Sequence, residues 1–408
     1  MISRTYFVCA VLSGALWRPV FAQAPATIAD ASRPREKSGY ELLVEAGKLI
    51  SPDYSIYEKI PTAEKLKRER ATLARNAPAL SLVRQVIAIQ KPVDGLPSPF
   101  DISNIQDFSF NARMRELARQ LSQESDVRLA DGDFVGAMNS KLDTMELGAL
   151  IGRGTLIGGL VGLAVESIGE IDSGKVAPHL DAKACREAVA RLERIEARRL
   201  PLAQVLRDEQ QRSLTDETKL LADFKAETNH KTGDDGGYPS TQDNAQLQVL
   251  SPGQLTRDNT RLFDALVQYA ALPYSKAAPV LPPKQELNPF TRGHLLWAES
   301  GRYRFNWARA IAQHRLLRTA LELRARKLES GSYPDSFTTP LDPFSPAQKP
   351  LVYKKSGTTY LLYSVGPDGK DDDAGEIQTI EIKEPSGIKI VTSKLQPESF
   401  GDIVQAPF

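Results

Sequence analysis

The sequence predicts a mainly α protein, in which a helical bundle over residues 40–330 is followed by a small antiparallel β module over residues 331–395. Two observations support this fold class. Apolar residues recur three to four positions apart through most of the first range, which is typical of amphipathic helices that share a core. Beyond Gly331 the apolar residues alternate instead, and Ser356 and Gly357 mark a hairpin turn between two such runs.

The first 24 residues are typical of a secretory signal peptide. Arg4 gives a short basic start, an apolar run follows from residue 6 to residue 17, and Ala22 and Ala24 are small residues suited to cleavage. The apolar run is shorter than the roughly twenty residues that span a membrane. We therefore expect a cleaved signal peptide over residues 1–24 and an extracytoplasmic protein, either periplasmic or secreted.

The composition of the mature chain limits its partners. Loss of Arg4 and Arg18 with the signal peptide leaves 50 basic and 51 acidic residues. A nearly neutral chain lacks the basic excess that binding to nucleic acid requires. Cys185 would be the only remaining cysteine, so we expect no intramolecular disulfide and a buried, inert thiol. The expected partner is an unknown protein or a component of the cell envelope.

Glycine and proline divide the rest of the chain. Residues 25–39 predict a flexible leader and residues 396–408 a tail. Within the helical region, Pro78 is expected to break one helix, and a turn at Gly132 and Pro201 are expected to separate others. A last long helix is predicted from about residue 291 to residue 329, with Gly331 as its C-cap. The many charged residues of segment 191–199 predict a solvated helix face.

Residues 147–168 are almost continuously apolar and contain glycines four positions apart. This spacing permits close contact between helices and is also found in membrane-spanning helices. Arg153 and Glu166 argue against insertion, because charged side chains cost several kcal/mol in lipid. The sequence therefore favours a buried, tightly packed helix over the alternative of a membrane-inserting segment.

No familiar catalytic or nucleotide-binding motif is present in the sequence. His294 and His314 lie far apart on one predicted helix, and His179 and His230 have no second histidine at ligand spacing. An extracytoplasmic hydrolase that uses His294 or His314 beside a carboxylate in the helical region is the alternative function. Glu299, Glu322 and Glu329 are interpreted as surface charges.

One aromatic and basic cluster has two interpretations. Its aromatic members could line a ligand groove, with arginines stacked on them. Core packing with arginines extending to the solvent is the favoured interpretation. The cluster comprises Trp297, Tyr303, Phe305 and Trp307 with Arg302, Arg304 and Arg309.

An acidic loop between two predicted strands is the candidate ion site. Its carboxylates stand beside glycines, and calcium prefers six to eight oxygen ligands of this kind. The loop does not follow the EF-hand pattern, and a solvated acidic turn is the alternative. The candidate calcium ligands are Asp368, Asp371, Asp372 and Asp373.

The segment from Arg318 to Gly369 carries a resemblance to a known family. It contains a Gly-Ser-Tyr-Pro turn that begins at Gly331, an Asp-Pro-Phe motif at Asp342 and a Ser-Val-Gly-Pro-Asp-Gly run that begins at Ser364. In this order the motifs resemble the C-terminal part of the major pseudopilins of type II secretion. That resemblance implies a long helix, a small sheet and a loop that binds calcium, with Asp368 among its ligands.

The chain departs from pseudopilins at its start, because it has no prepilin-type leader. As a whole it resembles uncharacterised exported bacterial proteins. We therefore predict an exported, non-enzymatic binding or assembly protein with a calcium-stabilised C-terminal loop. Besides the hydrolase, the second alternative is a membrane-inserting protein that acts through residues 147–168.

Overall fold

A computed structural model of the chain shows helices followed by a small C-terminal β module, which confirms the predicted fold class. The predicted signal peptide lies outside the described residues, as does the predicted leader up to residue 36. The structure describes residues 37–51, 62–89, 108–226, 241–274, 278–299, 301–375, 377, 380–383, 389–392, 395–397 and 399–408.

The helices account for most of these residues. The helices are α1 (Gly39–Leu49), α2 (Thr62–Ile89), α3 (Phe108–Ala130), α4 (Phe134–Ile151), α5 (Leu156–Glu170), α6 (Ser173–Val176), α7 (Ala182–Arg198), α8 (Leu202–Ala226), α9 (Thr241–Val249), α10 (Pro252–Ala271), α11 (Pro289–Ala298) and α12 (Arg302–Ser330). The strands are β1 (Val352–Ser356), β2 (Thr359–Ser364), β3 (Ile380–Lys383), β4 (Lys389–Thr392) and β5 (Ile403–Val404).

Helix α2 continues through Pro78, so the predicted break there is wrong. Packing on both sides of the proline outweighs the lost backbone hydrogen bond. Leu80 and Val83 are buried in an apolar core that α2 shares with α1 and α3. Asn76 is fully buried and donates to Gln120 on α3 at 3.0 Å. Proline in a helix interior costs about 3 kcal/mol, which contacts of this kind can offset.

The glycine-rich segment 147–168 forms a hairpin and not the single helix that its apolar run predicts. Helix α4 ends at residue 151, and α5 starts after Gly154, which has a φ of +80°. The Thr155 side chain then caps α5 by accepting from the backbone N–H of Gly158 at 2.9 Å. The close glycine contact is present, but it joins the two arms of the hairpin. No helix in the described ranges is both long and apolar enough to cross a membrane.

The predicted final helix is also divided. Gly301 adopts a φ of +60°, which separates α11 from α12. Glycine takes this conformation without the strain that a side chain would cause, which allows the helix to be interrupted there. The end of α12 is as predicted, since Gly331 has a φ of +83° and closes the helix as its C-cap.

The β module packs on α12. Strand β2 pairs antiparallel with β1 on one side and with β5 on the other, and β3 and β4 form a separate hairpin. The segment predicted as a tail thus contains the third strand of the sheet. Leu316 and Leu323 of α12 pack against Tyr360 and Leu362 of β2. Helix α12 therefore belongs to the helical region and also contacts the sheet. Its side chains lie along the boundary between these two parts of the fold.

Candidate functional site

A cavity of about 360 Å³ opens at this boundary, between α12, the α7–α8 junction and the end of α10. Three arginines and one carboxylate, that of Glu196, line it together with aromatic and aliphatic side chains. Its volume lies within the range of small-molecule sites. We call it the arginine cleft. The lining residues that matter for its chemistry are Arg199, Arg304, Arg315, Tyr274 and Trp307.

The α12 side of the cleft follows from helical spacing. Arg304, Trp307, Ile311 and Arg315 recur at three to four positions and therefore share one face of the helix. The opposite wall is formed where Pro201 separates α7 from α8, as its position in the sequence predicts. The sequence thus contains the signal for the α12 face, whereas Arg199 reaches the cleft only through the packing of distant helices.

Arg304 is only 4% exposed, yet no carboxylate among the described residues pairs with it. Its Nη2 donates to the backbone carbonyls of Leu272 and Pro273, at 2.8 and 2.6 Å. Its Cζ lies 4.1 Å from the ring centroid of Tyr269 and 5.6 Å from that of Tyr274. Buried charges are ordinarily paired with an opposite charge. Arg304 therefore brings an uncompensated positive charge to the wall of the cleft.

Arg199 behaves differently, because it forms a buried ion pair with Glu166 of α5. Their side chains are 6% and 2% exposed. Burial opposes the charge of Arg199, but the neighbouring carboxylates outweigh that effect and raise its pKa. The predicted solvated face of segment 191–199 is therefore wrong at this position. Three more residues of the segment, Arg191, Glu196 and Arg198, pair with other helices.

Glu170 lies one helical turn beyond Glu166 and is held largely uncharged. Burial, followed by repulsion from Glu166, raises the pKa of Glu170 to about 8. Its Oε1 is buried and accepts no hydrogen bond from the described residues. Glu170 itself lines a separate cavity of about 190 Å³. The carboxyl group thus remains neutral while the neighbouring Glu166 pairs with Arg199.

Three residues of the arginine cleft have buried N–H donors without an acceptor in the described part of the chain. These atoms are Nη1 of Arg199, Nη1 of Arg304 and Nε1 of Trp307. A buried donor that lacks a partner costs about 1–3 kcal/mol. Residues that line the cleft therefore have donor atoms that are buried and that no acceptor in the described part of the chain satisfies.

The two candidate histidines do not line the arginine cleft. The Nε2 of His294 lies 2.8 Å from Oε1 of Glu217, and both side chains are less than a tenth exposed. His314 donates from Nε2 to the carbonyl of Leu192 at 2.9 Å, and burial lowers the pKa of His314 to about 3. His294 therefore lies beside a carboxylate, as the hydrolase hypothesis requires, but in a buried setting. Burial also raises the pKa of Cys185 to about 11, as expected for an inert thiol.

The aromatic cluster is divided between the core and the cleft. Tyr303 and Phe305 are buried in two core clusters, as the core interpretation requires. Trp307 is also buried, but it lines the cleft together with Arg304. Trp297 packs edge-on to Tyr303, with ring centroids 5.7 Å apart. Trp307 and Arg304 are thus the members of the cluster that line a cavity, and ligand binding there stays a prediction. The other cleft arginines, Arg199 and Arg315, lie outside the cluster that the sequence indicates.

In three of the four aspartates of the acidic loop, the side chain has a partner of its own. Asp371 accepts from the hydroxyl of Tyr363 at 2.8 Å, and Asp373 pairs with Lys354 at 2.7 Å. Asp368 accepts from the backbone N–H of Lys370 at 3.3 Å. Within the described ranges, no three His, Cys, Asp or Glu side chains are grouped closely enough to hold a metal ion. Calcium binding stays a prediction.

Two aspartates outside the predicted ligand set accept hydrogen bonds from this loop or from the residues just before it. Asp402 accepts from the backbone N–H of Ala374 at 2.8 Å, next to the loop. Burial, opposed by its hydrogen bonds and supported by nearby aspartates, raises the pKa of Asp402 to about 6. Asp342 is 3% exposed and accepts from Ser364 and Val365 at 2.8 Å each. Both contacts are distant in sequence, so a local motif could not reveal them.

Comparison of the chain with protein-family models, characterised proteins and solved structures found no match. The function is therefore inferred from the chemistry of the arginine cleft. Two properties carry that inference. Residues of both walls of the cleft have buried donors without an acceptor in the described part of the chain, and Arg304, which has no described carboxylate partner, lies beside aromatic rings.

Proposed function

We propose that the mature chain is an exported, non-enzymatic binding protein, and that its arginine cleft takes a small anion with an apolar or aromatic body. The observation that carries this proposal is the buried guanidinium of Arg304, which no described carboxylate neutralises. An anion in the cleft would supply the missing charge. The signal-like start of the sequence supports export.

The remaining walls support the same ligand class. Trp307 and Tyr274 offer flat surfaces beside the guanidinium groups, which suits a ring or a short apolar chain. Arg199 is paired with Glu166, and Arg315 is paired with Glu196. Among the three cleft arginines, Arg304 is therefore the one whose charge no described carboxylate compensates. Carboxylate and phosphate both match the geometry of arginine donors.

Indoleacetate and tryptamine provide a matched test, because they share an aromatic ring and carry opposite charges. Isothermal titration calorimetry on the full mature chain is expected to detect indoleacetate and not tryptamine. Arg304→Gln should weaken indoleacetate binding by about tenfold, the usual worth of a charge-assisted hydrogen bond. Arg326→Gln is the control, since Arg326 is an exposed residue of the same helix that pairs with Glu322.

Two results would contradict the proposal. Equal binding of both compounds would show that the cleft does not select for negative charge. Unchanged binding of indoleacetate to Arg304→Gln, with the protein folded by circular dichroism, would place the anion elsewhere. Arg304→Lys serves as a second variant if Arg304→Gln unfolds, because it retains the charge and should retain part of the affinity.

A further inference from the structure

The β module contributes Pro343 to the lining of the arginine cleft. Pro343 lies in the loop between α12 and β1, and both of its neighbours in sequence are buried. Asp342 is 3% exposed, and Phe344 is fully buried. We call Asp342, Pro343 and Phe344 the cleft loop. The position of Pro343 at the cleft therefore depends on how its two neighbours are held.

The side chain of Asp342 holds the cleft loop to the sheet. Its Oδ1 accepts from the backbone N–H of Phe344 at 2.9 Å and from the hydroxyl of Ser364 at 2.8 Å. Its Oδ2 accepts from the backbone N–H of Val365 at 2.8 Å. Ser364 is the last residue of β2, which is the central strand of the sheet. One buried side chain thus fixes the loop to the sheet and also fixes the backbone of Phe344.

The ring of Phe344 supports an aromatic residue of the cleft. It packs edge-on against the ring of Tyr274, with ring centroids 4.8 Å apart and an interplanar angle of 87°. Edge-to-face pairs of this kind are favourable, because the positive edge of one ring meets the negative face of the other. Tyr274 lines the cleft, and its ring centroid lies 5.6 Å from Cζ of Arg304. The cleft loop therefore reaches the proposed anion site through Tyr274.

We infer that Asp342 is a positioning residue that makes the arginine cleft selective for anions with an aromatic ring, through its hold on Pro343 and Phe344. Different parts of the fold then recognise the two halves of the ligand. Arg304 of the helical region binds the negative charge, and the cleft loop of the β module fixes the surface beside the ring. This inference rests on the proposed function and deepens it, because it names aromatic anions as the preferred ligands.

Indoleacetate and hexanoate test the selectivity, because both carry one carboxylate and only indoleacetate has a ring. Isothermal titration calorimetry on the full mature chain is expected to show tighter binding of indoleacetate. Asp342→Ala should weaken indoleacetate about three- to tenfold, the usual worth of one aromatic contact, and should weaken hexanoate less than about twofold. The ratio of the two affinities is the decisive measurement, because a general loss of stability would weaken both ligands alike.

Asp402→Ala is the matched control for Asp342→Ala. Asp402 is 1% exposed and belongs to the same module, and its side chain accepts from the backbone N–H groups of Asp372 and Ala374. None of these three residues lines the cleft. Asp402→Ala is therefore expected to lower the stability of the module and to leave the ratio of the two affinities unchanged.

Asp342→Asn is the second variant, for the case that circular dichroism shows Asp342→Ala to be unfolded. Its amide oxygen still accepts from Phe344, whereas its NH2 group cannot accept from Val365. The preference for indoleacetate should therefore fall in the same direction and by a smaller factor. An unchanged preference in the folded variant would overturn the inference.

The remaining outcomes separate this inference from the proposed function. If the wild type binds indoleacetate and hexanoate equally well, or if Asp342→Ala weakens both by the same factor, the inference is wrong and the small-anion site stands. If Asp402→Ala changes the ratio as much as Asp342→Ala does, the inference is also wrong. If neither anion binds the wild type, both proposals are wrong. Loss of the preference for indoleacetate in Asp342→Ala alone would support both.

Discussion

The guanidinium of Arg304 stacks on the ring of Tyr269, with 4.1 Å between Cζ and the ring centroid. This contact joins the start of α12 to the end of α10. Together with the carbonyls of Leu272 and Pro273, it holds a buried charge in place at the arginine cleft. The stability of the region and the proposed binding of an anion therefore depend on the same side chain.

Tyr269→Leu is expected to lower the free energy of unfolding by on the order of 1 kcal/mol more than Tyr269→Phe, because only phenylalanine keeps an aromatic face for the cation. Urea unfolding followed by circular dichroism measures both variants. Tyr269→Phe is the matched control, since it removes the hydroxyl alone. Equal losses of stability in the two variants would show that the stacking of Arg304 does not contribute.

Glu170 should make the protein less stable as the pH rises. Its pKa is about 8 in the folded chain, against an ordinary value of 4.5. The folded state therefore binds more protons than the unfolded state between these values, so the free energy of unfolding falls from about pH 4.5 to about pH 8 and then levels. Glu170→Gln, which stays neutral, should reduce this slope in urea titrations across that range.

The comparison between wild type and variant isolates Glu170 from other titrating groups. Glu187→Gln is the control, because Glu187 is an exposed glutamate of α7 and 62% of its side chain is accessible. If Glu170→Gln retained the full pH slope of the wild type, the buried carboxyl would not be the source of that slope.

Gly162→Ala should destabilise the hairpin of α4 and α5. A Cβ at Gly162 would lie 2.5 Å from Cα of Gly152 and 2.6 Å from the carbonyl oxygen of Gly148. Both obstacles are backbone atoms, which cannot move aside without shifting a helix. The expected loss is about 1–3 kcal/mol of unfolding free energy, measured by thermal and urea unfolding.

Gly253→Ala is the matched control for the hairpin variant. A Cβ at Gly253 meets no atom within 4 Å, so its substitution should leave stability nearly unchanged. Similar effects of the two substitutions would show that helix propensity, and not the close backbone contact, determines the result.

The calcium prediction for the acidic loop is tested by the melting temperature of the mature chain in calcium and in chelator. Calcium is expected to raise it, and Asp368→Ala combined with Asp371→Ala to abolish the rise. Asp335→Ala is the control, because Asp335 is an exposed aspartate of the same module that pairs with Lys355. An unchanged melting temperature would contradict the calcium prediction. The loop would then be held by hydrogen bonds such as the one that Asp402 accepts from Ala374.

The sequence alone determined the fold class and several boundaries. Gly331 ends α12 as predicted, since a residue with positive φ stops a helix wherever it lies. The break between α7 and α8 at Pro201 and the turn between β1 and β2 at Gly357 follow from the same local backbone preferences. Periodicity correctly distinguished helices from strands, because it reflects which side of each element faces the core.

Only the tertiary structure decided where the site lies. The helix through Pro78, the hairpin made from residues 147–168 and the pair between Arg199 and Glu166 all depend on contacts between segments distant in sequence. The sequence favours the interpretation that Arg304 extends to the solvent. Nothing local indicates that it is buried without a carboxylate. The arginine cleft exists because α7, α10 and α12 bring their side chains together, and that arrangement is a property of packing.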